Sequence, residues 1–183
     1  CALWRAPVQH TVLVCDEAAF MRAMLSDLLT QAGFDVIGEA QSGTEAVQKC
    51  RDLRPDLVTI EGTFSRVGGS DYPLHALQGV VRQWLHRRGI PYVEVAPATL
   101  KTWATGSGAT QGVNKVTKDK VVAAILAQYG AHLLINPRDD DQCDAVGLLT
   151  LALAHYGQPL GDLPPINHRR ALQVPAWPVL EGV

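Results

Sequence analysis

The sequence predicts a three-layer α/β domain on a mostly parallel sheet of about five strands. Three observations predict it. Apolar runs of strand length alternate with amphipathic helical stretches, the pattern of βαβ units joined by right-handed crossovers. The stretch Asp56 to Glu61 follows Pro55, gathers Leu57, Val58 and Ile60, and stops at Gly62, as a buried parallel strand does. That run ends on a carboxylate. Ligands of open α/β sheets sit beyond the carboxyl ends of strands, so Glu61 lies where chemistry is expected.

Taken in order, residues 1–9 read as a lead-in. Thr11 to Cys15 is β-branched and apolar and ends on Asp16 and Glu17. Ala18 to Gln31 is a helix, with Phe20, Met21, Met24, Leu25, Leu28 and Leu29 on one stripe and Gly33 at its C-cap. Phe34 to Glu39 is the second strand. Ser42 and Glu45 form a capping box that opens a helix with Ala46, Val47, Cys50 and Leu53 inward. After Glu61, a glycine-rich loop lacks the GxxxxGK[ST] pattern of a phosphate-cradling loop. Leu74 to Arg88 is a helix with Leu74, Leu77, Val81, Trp84 and Leu85 on its inner face, ended by Gly89. Pro91 to Val95 is a strand stopped by Pro97, and Thr99 to Ala104 is a helical turn. Thr105 to Asn114 is a Gly/Ser/Thr-rich loop. Thr117 caps the next helix, His132 to Ile135 suggest an edge strand, and an apolar helix runs to His155. Residues 1–156 are expected to form one α/β domain, with 157–183 a proline-rich tail.

The 183 residues allow a sizeable core. No apolar run approaches the ~20 residues of a membrane span, and a basic-apolar-small leader is missing at the N-terminus, so a cytoplasmic protein without a membrane partner is expected. Cys1, Cys15, Cys50 and Cys143 include no CxxC, which argues for reduced thiols rather than a zinc or redox motif. The six histidines show no metal-ligand spacing. Charge is uneven: residues 1–61 carry 5 basic and 9 acidic side chains, residues 62–183 carry 11 and 9. Seven basic residues between Arg82 and Lys120 face only Glu94 and Asp119, an excess that suits a polyanion or a solvated helical face.

Asp16, Glu61, Asp141 and Asp144 are the candidate catalytic carboxylates. Asp16 and Glu61 end two strands expected to be neighbours. Asp141 and Asp144 are three residues apart on the first turn of the last helix and so share a face. Carboxylates gathered at that density repel unless a cation neutralises them, and hard divalent ions take such oxygen ligands. The competing reading is that Asp139 to Asp144 are favourable charges at a helix N-terminus. Trp84 and Trp103 could stack on bases, although Trp84 lies on the apolar face.

Residues 56–178 resemble a RuvC-like Holliday-junction resolvase. The matching pieces are Leu57 to Gly62, Val80 to Tyr92, Val95 to Lys101, Ala104 to Gly106, Val116 to Val121, Asn136 to Asp140, His168 to Leu172 and Ala176 to Pro178. The resemblance implies a ribonuclease-H-like fold and an endonuclease acting on branched or structured DNA with Mg²⁺ or Mn²⁺. It places the family's acidic residues on Glu61, Asp141 and Asp144, and its DNA-approaching segments on Lys101, Lys115, Lys118 and Lys120. Arg87 and Arg88 join them as DNA-binding candidates, and a homodimer is a further option.

Residues 1–61 resemble a CheY-type response-regulator receiver through Val12 to Arg22, Gly33 to Ala40, Gly43 to Val47 and Pro55 to Thr59. This resemblance places a Mg²⁺-binding acidic pair on Asp16 and Glu17. It sets Glu61 at the phosphoacceptor Asp and Ala96 near the receiver's Ser/Thr. A Glu at the acceptor position moves the carboxylate outward and imitates a phosphorylated state. The chain therefore reads as a chimera spliced at one strand, with Asp16 standing for the resolvase's first Asp. Three functions stay open: a Mg²⁺-dependent endonuclease, a degenerate receiver in a phosphorelay, and a folded but inactive recombined or designed protein.

Overall fold

The computed structural model describes residues 11–15, 19–31, 35–62, 72–130 and 140–180. The chain runs β1 (Thr11–Cys15), α1 (Ala19–Gln31), β2 (Asp35–Ala40), α2 (Gly43–Leu53), β3 (Val58–Glu61), α3 (Tyr72–Arg87), β4 (Tyr92–Val95), α4 (Pro97–Thr105), α5 (Lys118–Tyr129) and α6 (Asp140–His155), then a 3₁₀ helix at Arg169–Gln173. The class is mixed α/β with parallel strands. Among the described residues the strands pair in parallel, β1 with β2 and β3 with β4. The expected strand at 132–135 and the C-cap at Gly33 lie outside the described residues.

Two compact units divide the chain, Cys1–Asp56 with Val179–Val183, and Leu57–Pro178. The boundary falls inside the Asp56 to Glu61 run.

In the first unit, β1 and β2 pair from Thr11↔Asp35 to Cys15↔Ala40, with a register irregularity between Val12 and Leu13. Val14, Leu29 and Ala40 are buried. The Ser42 hydroxyl accepts from Glu45 N at 3.2 Å, as a capping box requires, while the Glu45 carboxylate reaches back one residue further, to Gln41 N at 3.0 Å. The inward face of α2 differs from expectation: Val47 is 49% exposed and no residue of the helix is fully buried. The reason is Lys49. Its stem passes beside Gly38 with Leu53 and Leu13, and its ammonium bonds the Glu39 carbonyl and pairs with Glu45 at 2.8 Å. A snorkelling lysine thus covers β2 where a valine was expected.

In the second unit, β3 and β4 pair in register from Val58↔Tyr92 to Glu61↔Val95. The ladder continues one residue on each side, through Val58 N to the Pro91 carbonyl at 2.9 Å and Gly62 N to the Val95 carbonyl at 2.8 Å. Val93 and Val95 join Leu100, Trp103, Leu148, Leu151 and Ala171 in one core. Within it the Trp103 indole donates to the Thr150 hydroxyl at 3.0 Å, and that hydroxyl lies 3.2 Å from the Gly147 carbonyl, so a buried polar pair is satisfied internally. Cys143 on α6 is fully buried.

The inner face of α3 is also shifted. Leu85 is buried, but Leu77 is 60% exposed. At 100° per residue the face centred on Leu85 carries Gln78, Val81 and Arg82, and Leu77 falls at its edge. Gln78 and Arg82 occupy that face because each has a partner: Gln78 donates to the Glu61 carbonyl at 2.6 Å, and Arg82 pairs with Glu94 at 3.0 and 3.1 Å. Trp84 is half-buried beneath the Arg88 guanidinium, 4.3 Å from the ring centre.

Residues 157–178 pack with this second unit. His168 Nδ1 lies 2.8 Å from the Trp103 carbonyl, and Trp177 donates to the Leu172 carbonyl at 2.8 Å. Trp177 also stacks on His155 at 4.3 Å, and the Tyr156 hydroxyl donates to the Pro178 carbonyl at 2.7 Å. The 3₁₀ helix drops Ala171 into the core.

Candidate active site

Glu61 is the last residue of β3. The paired strand β4 and the bond from Gln78 fix its backbone. Its carboxyl is pushed above the ordinary carboxylate range, first by burial and then by the charge of Asp144; Lys118 pulls it back, Asp141 raises it further and Lys101 opposes. Thus β3 and α6 bring Asp144 and Asp141, with Lys118 and Lys101, close enough to act on the Glu61 carboxyl.

Asp140 and Asp141 begin α6, and Asp144 follows one turn later. The expectation that Asp141 and Asp144 share a face meets a sharp difference in environment. The Asp141 side chain is 94% exposed and that of Asp144 17%. Burial raises the Asp144 carboxyl, Lys118 lowers it, and Asp140 and Asp141 raise it. Asp140 behaves oppositely: its bond to Lys118 holds its carboxyl below the usual range.

Lys118 begins α5 and reaches all three acids. It bonds Asp140 and lies 3.8 Å from Asp141 and 3.7 Å from Asp144. The Asp140 bond, with the neighbouring carboxylates, holds its ammonium more firmly protonated than a free lysine. Sequence reasoning put Lys118 among the phosphate-gripping lysines and Asp140 among the helix-end charges. It missed the pair, because 22 residues separate them and only the packing of α5 on α6 joins them.

The other predicted positive residues are spread out. Lys101 is half-buried on α4 and acts on Glu61. Lys115 and Lys120 are exposed, and Lys120 Nζ donates to the Lys115 carbonyl at 3.0 Å. Arg87 is exposed at the end of α3, and Arg88 covers Trp84. Trp103 is sealed in the core, which removes it as a base-stacking platform. Asp16 and Glu17 lie outside the described residues.

The donor chemistry suits a hard divalent cation, since Glu61, Asp141 and Asp144 offer only carboxylate oxygens. The arrangement does not suit one as it stands. Among the described residues no three acidic, histidine or cysteine side chains are gathered to hold a metal, and an ammonium lies among the acids. Also among the described residues, no helix is long and apolar enough to cross a membrane.

No family model matches the chain. Its N-terminal third is similar to chemotaxis protein CheY of Thermotoga maritima, 52% identical over 60 residues, which is 33% of this chain and 50% of that protein. CheY of Bacillus subtilis is 45% identical over 60 residues, with the same shares. A protein-glutamate methylesterase/protein-glutamine glutaminase of Symbiobacterium thermophilum is 32% identical over 136 residues, 66% of this chain and 35% of that protein. The chain spans about half the length of the CheY relatives it matches. Among solved structures, RuvC of Thermus thermophilus overlays on 63% of this chain and 66% of its own, with a TM-score of 0.45 and 21% identity. In sequence, the chain is thus similar to CheY proteins over its N-terminal third.

Proposed function

We propose that the chain is a Mg²⁺- or Mn²⁺-dependent endonuclease of the RuvC type, acting on branched or structured DNA. The observation that carries this reading is the packing of α6 on β3, which brings half-buried Asp144 close enough to Glu61, at the carboxyl end of the strand, for its charge to raise the Glu61 carboxyl. Such groups cluster at reactive sites more often than chance. Glu61, Asp141 and Asp144 would hold the cation. Lys101, Lys115, Lys118, Lys120, Arg87 and Arg88 would meet phosphates, whether the protein acts alone or as a homodimer. The test is cleavage of a four-way DNA junction with Mg²⁺. Glu61→Gln should slow it by at least about 100-fold, the scale of losing a charged group at a reacting centre. Equal rates would sink the proposal.

A second reading rests on a different observation, the 52% identity to a CheY protein over 60 residues. On it the chain is a degenerate receiver with Glu61 at the phosphoacceptor position, a signalling module rather than an enzyme. Incubation with acetyl phosphate separates the two. Phosphorylation of an Asp near β1, without salt-dependent DNA binding, supports the receiver. A protein that takes no phosphate and binds no DNA is the inactive chimera.

A further inference from the structure

We infer that Val113 is the residue with which this chain tells branched from continuous DNA: the turn it crowns covers the face of a base pair where stacking is already interrupted. The inference deepens the nuclease reading above and rests on it, since it takes nucleic acid as the partner.

The turn is held in shape by its own bonds. Lys115 N donates to the Gly112 carbonyl at 3.1 Å, with Gly112 at φ +75°. A second bond, from Val116 N to the Ala109 carbonyl at 2.8 Å, closes the loop below it. Lys120 Nζ adds a third, to the Lys115 carbonyl at 3.0 Å. The base is anchored on both sides. Val116 is buried, and Gly108 lies so close to α4 that a Cβ there would come within 2.7 Å of Thr102 Oγ1 and 2.8 Å of the Ala98 carbonyl. At the apex Val113 is fully exposed. One exposed valine is ordinary on a protein surface. This one tops a turn tied down by three hydrogen bonds, and its β-branched side chain has few rotamers to lose on contact.

The surroundings select the partner. No acidic residue occurs between Val95 and Lys118, a stretch that carries Lys101, Lys115 and Lys118. Asn114 and Lys115, directly after Val113, are exposed with it. An apolar point among ammonium groups matches a polyanion that also offers apolar faces, and the bases of nucleic acid are such faces behind a phosphate shell. Size then selects the place. Valine is shorter than the side chains that pry intact base steps apart. It gains contact only where a base face is already bare, as at a branch point, so the tip adds affinity for branched DNA and little for continuous duplex.

The experiment measures binding of the full chain by fluorescence anisotropy, without divalent metal so that no DNA is cut, to a four-way junction and to a linear duplex of the same arm sequence at one salt concentration. Val113→Ser should weaken junction binding about fivefold, the scale of uncovering part of one valine side chain, and leave duplex binding near that of the parent. Val113→Thr, which keeps the shape and loses one methyl, replaces it should the serine variant fail to fold. Lys115→Ala is the contrast: losing one phosphate contact should weaken both substrates alike and lower the salt slope by about one. Unchanged junction binding by the Val113 variant, or equal losses on both substrates, overturns the inference while leaving the nuclease reading standing. A parent that binds neither DNA overturns both. Val113-dependent binding to vesicles of phosphatidylcholine and phosphatidylserine, without a preference for the junction, assigns the tip to a lipid surface and overturns the inference as well.

Discussion

The side-chain amide of Gln78 donates to the backbone carbonyl of Glu61 at 2.6 Å, tying the middle of α3 to the end of β3. It is a polar tie on a helix face that otherwise turns Leu85 into the core. Gln78→Leu keeps the volume and removes the bond. The expected cost is about 1 kcal/mol, the usual net worth of one such bond, read as a lower urea midpoint with an unchanged slope. No change in midpoint would show that the tie contributes nothing.

Glu61 makes stability depend on pH in a definite direction. Its carboxyl is raised in the folded state, so the fold binds the proton more tightly than the unfolded chain does. Below the ordinary carboxylate value both states are protonated and nothing is lost. As pH rises through the window between that value and the raised one, ionisation costs more in the fold, and stability falls and stays lower at neutral pH. Glu61→Gln should therefore raise the urea midpoint at pH 7.5, with the gain shrinking toward pH 4. A loss of stability at pH 7.5 would contradict this account.

Gly147 sits on α6 where a Cβ would come within 2.6 Å of Leu100 Cδ1 and 3.5 Å of Ile125 Cδ1. Both side chains belong to a sealed core and have little room to yield. In an exposed helix, Gly→Ala stabilises by up to about 1 kcal/mol. Here overpacking, at about 1–3 kcal/mol, should reverse the sign, so Gly147→Ala should unfold at a lower temperature than the parent.

Gly106 ends α4 with φ +77°, and a Cβ there would run into the Asn167 amide and stand 2.9 Å from the His168 ring. Gly106→Ala meets backbone strain and displaces the segment that His168 anchors to Trp103. The expected cost is about 1–3 kcal/mol from the backbone alone. Gly161, also at positive φ (+74°) but with nothing within 4 Å, gives the comparison: Gly161→Ala should cost less, and equal costs would exclude the clash as a contributor.

Much of the architecture was legible in the sequence because local signals were strong. The Ser42/Glu45 box, Gly89 after the third helix and the apolar runs at Thr11–Cys15 and Val58–Glu61 each fix their own element. Helix faces were less legible. Val47 and Leu77 look inward by hydrophobicity alone, yet Lys49, Gln78 and Arg82 take those places, because each finds a partner on a neighbouring strand. Hydrophobicity along the chain does not say which polar side chain will be satisfied when buried.

The same holds for the site. The sequence by itself determined that Glu61 would end a strand, that Asp141 and Asp144 would open the last helix, and that basic residues would gather between Arg82 and Lys120. Only the tertiary structure decided that Asp144 is sheltered while Asp141 faces solvent, and that Lys118 lies among the acids instead of apart from them. The physical reason is range. Strand ends and helix starts are set by neighbours a few residues away, but the field on a carboxylate is set by charges brought close by packing, and α5 and α6 meet only once the chain has folded.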